Sequence, residues 1–152
     1  AELSGLSRER VEALVQLLAH NTQTLPEHDT ELEMLDYAVA SMAVQTAVMR
    51  HAGTLEETYT MLGQTFVQSG KDLSEVRRVV VTGGSLIHSQ RARQIAAGLR
   101  QRFACCDPAA PASLRPKKAD IILDKRYILA AMGLLAQSEP EIALQIMKEE
   151  IN

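Results

Sequence analysis

Val79-Val80-Val81-Thr82-Gly83-Gly84-Ser85, continued by Leu86-Ile87, is the stretch on which the fold turns. Three consecutive β-branched residues predict a short, fully buried strand, the glycine pair ends it, and helix formers extend to Phe103. That is the strand, turn and helix of an α/β domain. Gly83 and Gly84 carry no Cβ, so their backbone can reach φ > 0 and a flat or charged ligand group can come close. A tight turn with no ligand explains the same two glycines, and the rest of the chain has to decide between them.

Downstream, Ala119-Asp120-Ile121-Ile122-Leu123 is a second short apolar run, with Asp124 where an N-cap would stand. Tyr127, Ile128, Ala131, Met132, Leu134 and Leu135 then predict a helix that is apolar on most sides and therefore buried. Gly133 within it costs about 1 kcal/mol relative to Ala, which predicts close packing there. A right-handed crossover would lay the two strands side by side, with both turns opening on one edge, where α/β sheets bind ligands. Gly83, Gly84, Ser85 and Asp124 are thus the candidate nucleotide-binding residues, although a plain helix cap also accounts for Asp124. The start of the helix after Gly84 would add unpaired N–H groups and the positive end of its dipole.

Upstream, Ser7 predicts an N-cap and Val11, Leu14, Val15 and Leu18 a helix over Arg8 to His20, followed by a polar loop holding Pro26. Thr30 and Glu33 have capping-box spacing and open a long helix to Arg50, with an apolar stripe at Leu32, Leu35, Val39, Met42, Ala43, Thr46 and Met49. Its flanking alanines and Ser41 would let another backbone approach. Thr58 to Leu62 and Thr65 to Gln68 read as a hairpin about Gly63-Gln64, and Ser69 to Glu75 as a polar connection with Lys71 and Asp72 in water. Pro108, Pro111 and Pro116 mark Ala104 to Lys118 as irregular. Pro140 fits the first turn of a last helix.

The whole, residues 1–152, has the length of a single domain; 46% hydrophobic and 23% charged residues make it globular, and a net charge of −3 gives no bulk attraction to nucleic acid. Arg91, Arg93, Arg100 and Arg102 read as a solvated helix face. Aromatics are 3% of the chain, so stacking on exposed bases is not expected, and Leu, Ile, Val, Ala and Met must build the core. No apolar run suits a bilayer and no signal peptide is evident, which predicts a soluble, cytoplasmic protein with no membrane partner. Adjacent Cys105 and Cys106 favour a reducing compartment over a disulfide, and His20, His28, His51 and His88 lack zinc-site spacing, so no metal is expected.

Gly-x-x-x-x-Gly-Lys-Ser/Thr, Gly-x-Gly-x-x-Gly and Gly-x-Ser-x-Gly are all missing from the sequence. A turn that could hold a base and ribose is present without the parts that would handle a γ-phosphate. The chain alone is expected to turn over nucleotide poorly or not at all, with no catalytic residue of its own.

Val79 to Ile87 is similar to the adenosine motif of the actin, Hsp70 and sugar-kinase superfamily, with Asp124 and its helix similar to that superfamily's closing strand and helix. Arg50-His51-Ala52-Gly53, Gly70-Lys71-Asp72-Leu73, Thr82-Gly83-Gly84 and Leu123 to Leu135 resemble the C-terminal part of the MutL (GlmL) proteins associated with glutamate mutase. The unrelated mismatch-repair protein that shares the name is not resembled. The likeness runs from about Glu31 onward, and its last block is the most specific. It implies the C-terminal lobe of a two-lobed, actin/Hsp70-like (ribonuclease H-like) ATPase, with a short mixed sheet flanked by helices. It implies ATP or ADP as ligand and a chaperone or reactivating role toward an adenosylcobalamin-dependent mutase. Gly83, Gly84 and Ser85 would contact adenosine, Asp124 would lie close by, and magnesium and phosphate residues would sit in an N-terminal lobe. A start at Ala1 rather than Met agrees with a fragment. A non-enzymatic interaction module and the lobe of a small-molecule kinase stand beside this reading.

Overall fold

Ser7 starts the first helix as its sequence predicts: its Oγ accepts from Arg10 N at 3.2 Å, and α1 spans Arg8–His20. The computed structural model describes residues 3–28, 30–100 and 112–151. Phe103, Arg102, Cys105, Cys106, Pro108 and Pro111 lie outside these. Thr30 caps α2, Glu31–His51, accepting at Oγ1 from Glu33 N at 3.3 Å. Of the expected apolar stripe of α2 only Leu35 is buried; Ala38, Ser41 and Gln45 complete the buried face, while Val39, Met42 and Met49 are exposed. Close packing decides which face goes inside. A later helix, α4 (Ala92–Ala97), lies against α2, and a Cβ on Gly98 just beyond it would come within 3.0 Å of Gln45 Cγ, so the glycine leaves the room that the Gln45 side chain needs.

After Gly53 come β1 (Thr54–Thr60) and β2 (Gly63–Ser69), an antiparallel hairpin in register from Thr54 against Ser69 to Thr60 against Gly63. The turn is therefore Met61-Leu62, two residues earlier than expected from Gly63-Gln64. Gly63, at φ +114°, closes the turn from the strand side, and Thr60 Oγ1 donates to its carbonyl at 3.1 Å. Met61 and Leu62 look like strand residues only if they are buried, and both are fully exposed.

Val81 belongs to β3 (Arg78–Val81), which pairs in parallel with β5 (Asp120–Leu123), Val81 lying opposite Leu123. This is the parallel pair that the two apolar runs predict, but β3 is not fully buried as expected: only Val81 is buried, and Val80 is exposed. A two-residue β4, Ala112–Ser113, joins the far side of β1, giving one sheet ordered β2-β1-β4 and a separate β3-β5 pair. The described end of the proline-rich connection is thus not wholly irregular. The long helix expected after Ser85 is instead α3, Gly84–Ile87, and α4, with a break where Ser89 Oγ accepts from Arg91 N at 3.1 Å.

Gly53 and Gly70 form a joint between these parts. Gly53 N donates to Lys71 O at 2.6 Å and its carbonyl accepts from Leu114 N at 2.8 Å. A Cβ on Gly53 would fall 2.7 Å from Gly70 C, 2.8 Å from Lys71 N and closer still to Ser69 O. Only glycine fits where backbone meets backbone. Lys71 and Asp72 themselves face water, as expected.

The core gathers Leu35 and Ala38 of α2, Val81 of β3, Ala92, Ile95, Ala96 and Leu99 in and after α4, and Ala119 before β5. Methionine, expected among the core residues, is not in it among the described residues. The last helices are α5, Ile128–Leu135, and α6, Pro140–Glu150, the latter with Pro140 in its first turn. The expectation that α5 is buried fails: none of its residues is buried, Leu134 is 70% exposed, and a Cβ on Gly133 would meet open space. Its main packing contact is α6, which covers one side only.

Candidate functional site

Two strand ends build the site. Beyond β3, Thr82 is followed by Gly83 at φ +113°, a left-handed value that a residue with a Cβ adopts only under strain, and the chain then turns into α3. Beyond β5, Asp124 N donates to Val81 O at 2.9 Å, extending the parallel pairing by one residue. The Asp124 side chain turns inward, 1% exposed, and its carboxylate accepts from Ile128 N at 3.0 Å, Leu129 N at 3.2 Å and Thr82 Oγ1 at 3.3 Å. All three donors belong to the chain itself. The cap explanation accounts for this residue, which shapes the turn from behind and does not line the cavity in front of it.

Tyr127 stands between the two turns. It is the one described non-glycine residue at positive φ, +56°, a conformation that costs of order 1 kcal/mol. Its hydroxyl lies 3.2 Å from where a Cβ on Gly84 would be, and its ring centroid lies 6.2 Å from that of His88. A side chain at position 84 would therefore crowd the Tyr127 hydroxyl.

Gly84 also lines a cavity of about 600 Å3. Gly84, Ser85, His88, Ser89 and Gln90 form one wall; Thr24, Leu25, Pro26 and His28, with Glu33 and Asp36 of α2, form the other. The volume lies in the range of small-molecule sites, roughly 300–1,000 Å3. His28 Nδ1 lies 3.2 Å from Glu33 Oε2. Burial pushes the Asp36 carboxyl above the ordinary carboxylate range, and the nearby Glu33 charge adds to that. Gly84 and Ser85 of the four expected site residues thus line a cavity, while Gly83 and Asp124 set the backbone that presents them. Since α3 has only four residues, the helix dipole expected at this turn is a single turn's worth.

Leu25, His28, Glu33, Asp36 and His88 were not candidates from sequence. Asp36 follows Glu33 by one helical turn, a spacing that puts both on one face of α2, but nothing local says that this face meets the turn after β3. The arginines do not form one solvated face: Arg91 sits over the Tyr37 ring, 5.1 Å from its centroid, and Arg100 donates to the Ala119 carbonyl. A second cavity, of about 500 Å3, opens near the other end of the β3-β5 pair and mixes Arg77, Lys117 and Lys118 with Glu75 and Asp120. No cluster of His, Cys, Asp or Glu suited to a metal ion occurs among the described residues, and no helix of theirs is long and apolar enough to cross a membrane.

The family model described as MutL protein matches residues 1–151. Protein MutL of Clostridium tetanomorphum is 38% identical over 139 residues, which cover 91% of this chain and 29% of that protein. The chain thus spans less than a third of the length of that relative. No solved structure matches.

Proposed function

Because the chain belongs to the MutL protein family, we propose that it forms the nucleotide-binding lobe of an ATPase-like chaperone or reactivating factor for an adenosylcobalamin-dependent glutamate mutase. The observation that carries this is the cavity of about 600 Å3 walled by Gly84 and Ser85, at the carboxyl end of a parallel strand pair. An ATP or ADP molecule would place its nucleoside there. Gly83 and Gly84 would let it approach the backbone, and Asp124 and Thr82 would hold the two turns at a fixed separation. The phosphates and their magnesium would be held by an N-terminal lobe. Closure of two lobes on nucleotide would then drive exchange of damaged cofactor in a cytoplasmic mutase.

The uncovered apolar surface of α5 supports the two-lobed, actin/Hsp70-like architecture. Eight apolar or glycine residues, Ile128–Leu135, have no buried member, and a second lobe would cover them. Calorimetric titration with nucleotide tests the proposal, at high protein concentration because half of a cleft binds weakly. A second reading, a non-enzymatic interaction module, draws on the fully exposed Met61-Leu62 tip of the hairpin, and it predicts no affinity for adenosine.

A further inference from the structure

The hairpin leaves one side of β2 open. In the sheet ordered β2-β1-β4 this strand is an edge, and every residue of Gly63–Ser69 is exposed. The two-residue turn makes Thr60 and Gly63 a hydrogen-bonded pair, so the ladder to β1 uses the backbone groups of Gly63, Thr65, Val67 and Ser69. The Gly53 carbonyl, which reaches Leu114 N on the β4 side, gives the same alternation from the other end of β1. Gln64, Phe66 and Gln68 therefore turn their N–H and C=O groups away from β1, toward the open side. Edge strands are ordinarily guarded against pairing by a lysine, a proline or a bulge. β2 has no charged residue and no proline, and its register with β1 runs without a bulge. The charges of the hairpin, Glu56 and Glu57, lie on β1, where Glu57 Oε1 accepts from the Tyr59 hydroxyl at 2.9 Å and from Gln64 Nε2. Phe66 and Val67 on the edge itself are more than half exposed, and Met61 and Leu62 at the tip are fully so.

We propose that β2 pairs antiparallel with β2 of a second copy of this chain, about a two-fold axis through Phe66. That register sets Phe66 opposite the partner's Phe66 and Gln64 opposite the partner's Gln68. It is the register that engages all of the outward-turned residues of both strands, so each facing pair exchanges both of its N–H···O=C bonds. The same axis stacks an aromatic pair at its centre and carries the exposed Met61-Leu62 tip alongside the end of the partner's β2. Charge points to a copy as the occupant: a strongly charged partner finds nothing to recognise on this edge, whereas an identical neutral strand meets it with no like-charge repulsion. A two-fold contact of this kind is self-complementary and closes on a dimer. The proposal does not depend on the nucleotide reading.

The test is analytical ultracentrifugation of the chain from micromolar to millimolar concentration, unaltered and with two pairs of substitutions that differ only at position 68: Gln64→Lys with Gln68→Lys, and Gln64→Lys with Gln68→Glu. Both positions are exposed, so circular dichroism should show one fold in all three proteins. The unaltered chain is expected to pass from monomer to dimer as its concentration rises. The first pair sets like charges opposite each other at both ends of the junction and should weaken association at least about tenfold, while the second sets opposite charges there and should restore it. A monomer throughout the range would leave the edge to another segment or another protein and overturn the proposal. A dimer indifferent to the first pair, or one that both pairs abolish alike, would overturn it as well.

Discussion

Thr82 Oγ1 donates to Asp124 Oδ2 at 3.3 Å, joining the residue after one parallel strand to the residue after the other. The same carboxylate caps α5, so one buried side chain fixes the turn that carries Gly83 and Gly84, the helix behind it and the distance between them. Asp124→Ala removes the acceptor for two backbone N–H groups and is expected to cost about 2–3 kcal/mol in urea unfolding; Asp124→Asn, which keeps one oxygen, about 1 kcal/mol. Thr82→Val should cost less than either alanine or asparagine at position 124, because the two N–H bonds remain.

Gly53→Ala is expected to be the most damaging small substitution in the chain. Its Cβ would enter the backbone of Ser69 to Lys71, which cannot give way as a flexible side chain would. A loss of about 3 kcal/mol or more, read as a lowered unfolding midpoint or as insoluble protein, is the expected outcome. Gly133→Ala, into open space on a helix, should instead stabilise by up to about 1 kcal/mol.

Ser41 is 3% exposed, and its Oγ has no hydrogen-bond partner among the described residues. Ser41→Ala removes a buried, unsatisfied hydroxyl from the α2 face that meets α4 and should raise stability by about 1 kcal/mol. Thermal unfolding of the two proteins side by side checks it.

Asp36 gives a pH prediction with a definite sign. Its folded-state carboxyl is raised above its unfolded value, first by burial and then by Glu33. The folded protein therefore holds that proton more tightly than the unfolded one does. The associated stability is complete below the ordinary Asp range and is lost as pH rises through the raised value. Asp36→Asn should accordingly melt above the unaltered protein at neutral pH, and the difference should close in acid.

Local signals gave the ends of α1 and α2, the β3 and β5 strands and the first turn of α6, because Ser7, Thr30, the β-branched runs and Pro140 act on their own neighbours. What was illegible depended on distant partners. The buried face of α2 meets Gly98 at Gln45, more than fifty positions away in the chain, and the exposure of α5 depends on what does not cover it. Gly83, Gly84 and Ser85 were readable as a turn that could face a ligand; the Leu25 and Asp36 wall opposite them was not, because a loop and a helix some fifty residues upstream supply it. The blocks around Gly53 and Gly70 were visible only through family likeness, and their shared backbone contact supplies the physical reason for both.

The most direct measurement is calorimetric titration of the chain with ATP, ADP and adenosine, repeated with Gly84→Val. Saturable binding of all three with little dependence on phosphate is expected in the chain, and Gly84→Val should weaken it at least about tenfold with the unfolding midpoint nearly held, since its side chain meets the Tyr127 hydroxyl and the cavity lining rather than the core. No saturable signal from any of the three ligands would contradict a nucleotide site at this turn.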